Sequence, residues 1–249
     1  ILQLEIDLGR VDEMFNLFKK PKKDVVKIEV DYTEISRRTS WHTPPNVGWL
    51  ECQLSPSEID HLWKCINDSK EKNLESFKNH LAGNISHSYK LNDLDGYFYN
   101  NTLKPLISVY KNCFNISALR GLDKELPPDQ LDKFDLRLKR FWVNYQKQHE
   151  FNPLHSHSGM FSFVIWLKIP IEFEDQNKDN ITNTPLRSAF EFLYTDTLGS
   201  QCLYTYRLGK EFEGTMLFFP ANLQHHVHPF YNCEEDRISI SGNLMHVVK

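Results

Sequence analysis

The sequence has no run of roughly 18 consecutive apolar residues, which excludes an ordinary membrane-spanning helix. Its longest apolar candidate, Phe161 to Leu167, is the length of a strand. Cysteine is scarce: Cys52, Cys65, Cys113, Cys202 and Cys233 are scattered, and no two form a C-x-x-C pair. An odd count at wide spacing predicts reduced thiols in a cytosolic setting, packed or on the surface, rather than a disulfide framework. Positive charge is not in excess. Lys and Arg total 29 against 33 Asp and Glu, a formal net charge of -4. That excludes nucleic-acid binding through bulk charge, though not a local basic groove. No internal repeat is apparent. The sequence begins at Ile1 rather than Met, so a removed targeting signal is not legible in it.

What is present suits a folded domain. A chain of 249 residues predicts one large domain or two small ones. The 17 Phe, 10 Tyr and 5 Trp are enough for a substantial core, which excludes disorder along the whole chain.

The two halves differ in pattern. Lys19, Lys20, Lys22 and Lys23 surround Pro21 and read as a solvated turn; residues 37–48, with Pro44, Pro45 and Gly48, read as a loop. Ser55-Pro56-Ser57-Glu58 then places an N-cap serine, a proline at the first helical position and a glutamate at the third, a capping box. Ile59, Leu62, Trp63 and Ile66 follow at helical spacing. A second helix is predicted between about Gly96 and Phe114, burying Leu103, Leu106, Ile107, Tyr110 and Phe114. From Phe141 onward the chain breaks into short β-type runs. These are 141–145, 161–169, 189–194, 202–208, 215–219 and 238–244, separated by Pro153, Pro170, Gly199, Gly209, Gly214 and Pro220. Many short strands in succession predict a sandwich or jelly roll rather than a βαβ sheet. The polar insert 175–184 reads as a loop.

Five of the eleven histidines fall in two tight groups: His155 and His157 in one, His225, His226 and His228 in the other. Residues two apart on a strand share a face, so His155 and His157 can grip one metal ion, with His225 as a third ligand from a distant strand. His226 and His228 are expected to be supporting or surface residues. Arg237 lies twelve residues after His225 and shares a face with Ser239. A guanidinium beside a hydroxyl is a clamp for a carboxylate.

These residues resemble the iron(II)/2-oxoglutarate-dependent oxygenase superfamily. The pattern is an HxD/E pair, a distal His and an Arg-x-Ser, here His155-x-His157, His225 and Arg237-x-Ser239. The likeness is nearest to prolyl 4-hydroxylase-like members encoded by marine phages. It runs through Leu81 to Ile85, Trp142 to Tyr145, Asn152 to Gly159, Phe219 to Pro229 and Arg237 to Asn243, over roughly residues 50–245. The resemblance implies a mainly β fold with N-terminal helices and a double-stranded β-helix core (a cupin-like jelly roll). It also implies iron(II), 2-oxoglutarate and O2. The domain organisation expected is an N-terminal extension over 1–50 and an oxygenase domain over 51–249, with helices to 140 and the jelly-roll core from 141. Arg237 and Ser239 would hold the cosubstrate's distal carboxylate. Tyr145 or Asn144 would contact the cosubstrate, and Trp166 would wall its pocket.

The sequence departs from the pattern at one position: residue 157 is His, not Asp or Glu. Three arrangements follow. His157 is a ligand in a three-histidine face; or His155 and His225 bind alone; or the register shifts so that Gly159 stands where the carboxylate would, as in halogenase-type sites. The first is preferred. The expected activity is hydroxylation of an unidentified substrate, a small molecule or a protein side chain, with release of succinate and CO2. Metal binding is expected to weaken below about pH 6. The alternatives are a three-histidine cupin-type dioxygenase without 2-oxoglutarate and a non-catalytic jelly-roll module. The expected location is cytoplasmic, in a host cell if the protein is phage-encoded, with no membrane partner. Neither a nucleic-acid partner nor an oligomeric state is signalled.

Overall fold

The computed structural model describes residues 47–71, 75–114 and 134–248. The N-terminal charge run and most of the 37–48 loop lie outside them. The order of elements is β1 (Leu50–Gln53), α1 (Pro56–Glu71), β2 (His87–Lys90), a π turn (Tyr99–Leu103) running into α2 (Lys104–Cys113), and β3 (Phe134–Gln146). Then come β4 (Asn152–His155), β5 (Phe161–Lys168), the short α3 (Phe173–Asn177), β6 (Phe190–Thr195), β7 (Gln201–Tyr206), β8 (Thr215–Pro220), β9 (Gln224–Val227) and β10 (Arg237–Val248). The two predicted helices form where the periodicity places them. The capping box of α1 is reciprocal: the Ser55 amide donates to Glu58 Oε2 at 2.8 Å, and the Glu58 amide donates to Ser55 Oγ at 3.4 Å.

The strands divide between two antiparallel sheets. The larger has the order β1-β8-β5-β10-β3-β2 and the smaller β4-β9-β6-β7. From β3 to β10 the chain passes from one sheet to the other and back, which is a jelly-roll path. Two strands fall in the part predicted to be helical: β1 and β2 extend the two edges of the larger sheet. The insert 175–184 begins inside α3 rather than as loop throughout.

Strand alternation sorts the side chains into two layers. Phe161, Phe163, Ile165, Met216, Phe218, Phe141, Val143 and Ile240 face one way and pack against Leu62, Ile66, Leu103 and Tyr110 of the helices. Val164, Trp166, Leu217 and Phe219 face the other way, toward Phe190, Phe192 and Tyr206 of the smaller sheet. The inward face of β3 and β10 is different. Here Arg140, Trp142, Asn144 and Gln146 stand beside Arg237, Ser239, Ser241 and Asn243, and all eight line a cavity of about 300 Å3. A polar strip inside an otherwise apolar sandwich is unfavourable unless something polar fills the space.

Gly159 closes the turn between β4 and β5 with φ +106°, and a Cβ there would stand 2.6 Å from Leu244 O. Both the backbone conformation and the space require glycine. Gly159→Ala is expected to destabilise the protein by about 2 kcal/mol or more, read as a lower urea midpoint with an unchanged slope. An unchanged midpoint would contradict the tight turn.

Candidate metal and cosubstrate site

His155 ends β4 and pairs directly with His225 of β9, so these two rings start from neighbouring positions in the smaller sheet. His157 follows two residues later, its amide donating to Ala221 O at 2.7 Å. The ring centroids lie 4.3 Å (His155–His225), 4.9 Å (His155–His157) and 5.0 Å (His157–His225) apart. One nitrogen from each lies within 4.8 Å of the others, so the three could hold one metal ion. Gly159 lies in the turn after β4 and carries no side chain to add to this cluster.

Two rings are fixed from behind. His155 Nδ1 lies 2.7 Å from Pro153 O, and His225 Nδ1 lies 2.9 Å from Leu223 O. A carbonyl can only accept, so Nδ1 carries the proton and Nε2 keeps its lone pair. This is how metal-binding imidazoles are oriented. Phe190, Phe192 and Phe219 surround His225 with centroids 5.6, 6.2 and 5.0 Å away. Trp142 sits edge-on to His157 at 5.8 Å. Burial in this apolar ring is the main cause that holds all three imidazoles below the ordinary histidine value. For His157 it acts with His155 and Arg140 to push the value down to about 3. His155 is lowered, and His225 lies well below its ordinary value. The rings are therefore neutral and ready to coordinate at pH 7.

Arg237 is 1% exposed and has no carboxylate partner. Nε and Nη2 donate to Gln146 Oε1 at 3.1 and 2.8 Å, Nη1 to the Ser188 carbonyl and hydroxyl at 3.1 Å each, and Nη2 to His228 O at 3.1 Å. The donors are met by neutral oxygens while the charge is uncompensated. Burial pulls the guanidinium down to about 9. Cross-strand register sets Asn144, Ser239 and Trp166 in one row next to Gln146 and Arg237. Buried Asn144 Oδ1, Trp142 Nε1 and Asn243 Nδ2 have no hydrogen-bond partner. Among the described residues that line the cavity, two are arginines, three are the histidines, and none is Asp or Glu.

Tyr145 does not line this cavity. It alternates away from the cavity, packs against the helix-side core, and lies near Tyr89 and Lys70. No bulge interrupts its pairing with Ile238 that would turn it inward. Asn144 takes the inward position. Gln146, Ser188, Trp142, Ser241 and Asn243 were not singled out from the sequence. The alternation along 140–146 and 237–243 carried that signal for all of them but Ser188. The stretch around Leu81, Ala82 and Ile85 reaches the cavity as well.

Residues 140–243 match the family described as "Putative 2OG-Fe(II) oxygenase". The match begins within β3 and ends within β10, and it includes His155, His157, His225 and Arg237. No curated protein matches the sequence significantly. Similar solved structures include a Pseudomonas putida prolyl-4-hydroxylase, 12% identical, covering 80% of this chain and 93% of that one with a TM-score of 0.43. HygX from Streptomyces hygroscopicus, solved with nickel, 2-oxoglutarate and hygromycin B, is 9% identical, covers 80% of this chain and 83% of its own, and has a TM-score of 0.43. Over residues 140–243 the chain is thus similar to this family of 2OG-Fe(II) oxygenases.

Proposed function

We propose that the protein is an Fe(II)- and 2-oxoglutarate-dependent dioxygenase in which His155, His157 and His225 hold the metal and Arg237 receives the cosubstrate's distal carboxylate. One observation carries this reading: three neutral imidazoles and a buried, unpaired guanidinium line a single cavity without an acidic residue. Such a cavity rejects cations other than those the imidazoles ligate, and it stabilises a small dianion. When bound, iron and 2-oxoglutarate supply oxidative chemistry that the side chains lack, yielding succinate, CO2 and a hydroxylated product.

The chain's own residues bind, orient and shield. Pro153 and Leu223 carbonyls keep the lone pairs of His155 and His225 aimed into the cavity. Phe190, Phe192 and Phe219 exclude water around His225. Ser239 and Asn144 offer polar groups beside Arg237, and Trp166 walls that end. Because all five guanidinium N–H groups are engaged, an incoming carboxylate exchanges with an internal oxygen. Gln146 Oε1, which accepts twice, is the one to yield. With His157 in place of a carboxylate, the site is one unit more positive than the usual pattern, which favours an anionic cosubstrate. The substrate is a small molecule or a protein side chain whose target group enters the cavity that Leu81, Ile85 and Ser158 help to line.

The test is succinate release from 2-oxoglutarate by purified protein supplied with Fe(II) and O2. Uncoupled turnover without added substrate is expected. Its absence, together with no 2-oxoglutarate binding, would leave a non-catalytic module or a dioxygenase without cosubstrate. Arg237→Ala is expected to weaken 2-oxoglutarate binding by about 1.5–3 kcal/mol in calorimetry, and an unchanged affinity in a folded variant would remove Arg237 from the site.

The acid response follows from the histidines. Unfolded imidazoles titrate near 6.5, and the folded ones titrate lower, so between those values the unfolded chain binds more protons. Metal-free protein should therefore lose stability as pH falls below about 6.5, with the contribution of His157 extending toward about 3. The same lowering moves the onset of acid-induced metal loss below the ordinary histidine range. Urea midpoints from pH 7 down to pH 4 should fall more for the native chain than for His157→Gln; equal falls would count against a neutral buried ring at 157.

A further inference from the structure

The smaller sheet has a second cluster on its outward side. On β6, Glu191 alternates with Phe190 and Phe192, which face inward, and on β9 His226 follows the inward His225. Glu191 pairs across the ladder with His226 on one side and with Thr205 of β7 on the other. His228, two residues beyond His226, falls on the same side. The three functional groups meet at a point. His226 Nε2 and His228 Nε2 lie 2.6 and 2.8 Å from Glu191 Oε2, and 2.6 Å from each other. Thr205 Oγ1 donates to the other carboxylate oxygen at 2.6 Å and fixes its orientation. The carboxylate is 3% exposed and the two imidazoles 22% and 24%, so the point of convergence is reachable from solvent.

Protons cannot satisfy this triangle. Each Nε2 carries at most one hydrogen, and a nitrogen that carries one cannot also accept. At most two of the three short contacts are hydrogen bonds in any protonation state, including a protonated Glu191. A cation satisfies all three donors at once. We propose that Glu191, His226 and His228 form a second metal site, separate from the cavity, that takes Zn2+ or a similar borderline divalent ion. Two imidazoles and one carboxylate, with a fourth position open to water, are an ordinary zinc donor set. Ligand atoms in a tetrahedral zinc site stand roughly 3.3 Å apart, so the donors need to separate by well under 1 Å. The cluster of His61, Cys65 and Asp93 is a different case. Both Asp93 oxygens are already taken by the Phe98 and Tyr99 amides at a helix start.

The site ties β9 to β6 on the back of the strand that presents His225 inward. It also anchors the residue whose main-chain carbonyl accepts from Arg237. The role is therefore positional: the ion holds two contributors to the cavity from outside.

The experiment is a Zn2+ titration of chelator-stripped full-length chain against a chromophoric competitor, with bound metal measured after desalting. About two equivalents are expected for the native chain, and about one each for Glu191→Gln, His228→Ala and His155→Ala. Because Glu191 is buried, His228→Ala, at a partly exposed position, serves where Glu191→Gln does not fold. Undiminished uptake by either folded variant overturns the proposal, as does a native chain whose sole equivalent vanishes in His155→Ala. A sole equivalent that vanishes in His228→Ala and survives in His155→Ala supports this site while contradicting metal binding by the cavity histidines.

Discussion

The hydrogen bonds from His155 to Pro153 O and from His225 to Leu223 O are the constraint on which the site depends. An imidazole is useful to a metal only if its lone pair is both free and aimed. In both residues a carbonyl two positions upstream takes the Nδ1 proton, so local backbone settles the tautomer. Pairing of His155 with His225 across β4 and β9 then brings two such rings together, and the chain leaving β4 adds His157. Burial completes the arrangement by keeping the rings neutral. The ordinary cost of burying a histidine unprotonated becomes an advantage when the intended partner is a cation other than a proton.

The second constraint is electrostatic. A buried guanidinium without a counter-charge is costly to fold around. Here the cost is reduced by neutral oxygens from Gln146, Ser188 and His228, and by the Phe230 ring beneath it at 5.4 Å. It is not removed. A cavity that holds this group, three imidazoles and no acid is set up to select an anion. Replacement of the usual carboxylate by His157 pushes in the same direction. The departure from the family pattern is thus consistent with the rest of the cavity.

Much of this was legible in the sequence because jelly-roll strands obey a period of two. The runs at 161–169, 215–219 and 238–244 carry apolar residues on both faces or on one, and they became β5, β8 and β10. The capping box and the apolar stripe located α1 for equally local reasons. What was missed is non-local. The edge strands β1 and β2 are four residues each and gain their regularity from pairing with β8 and β3, not from their own composition. Strands β4 and β9, also four residues long, were absent from the β-type runs read from the sequence, although the facing of His155 and His157 presumed an extended segment. The resemblance put Tyr145 or Asn144 against the cosubstrate, and the parity of β3 sends Asn144 inward and Tyr145 to the other face. Polar alternation put Gln146 on the inward face, but its pairing with Arg237, like that of Ser188, spans 91 and 49 residues and is made only by the fold.

The central claim is that three imidazoles from separate parts of the chain bind one ferrous ion. A crystal grown anaerobically with Fe(II) and 2-oxoglutarate, with iron located by its anomalous scattering, tests it most directly. The account predicts one iron bonded to His155, His157 and His225, with a dicarboxylate reaching Arg237. Iron bonded to two of these rings with the third turned away, or iron found outside the cavity, would contradict it.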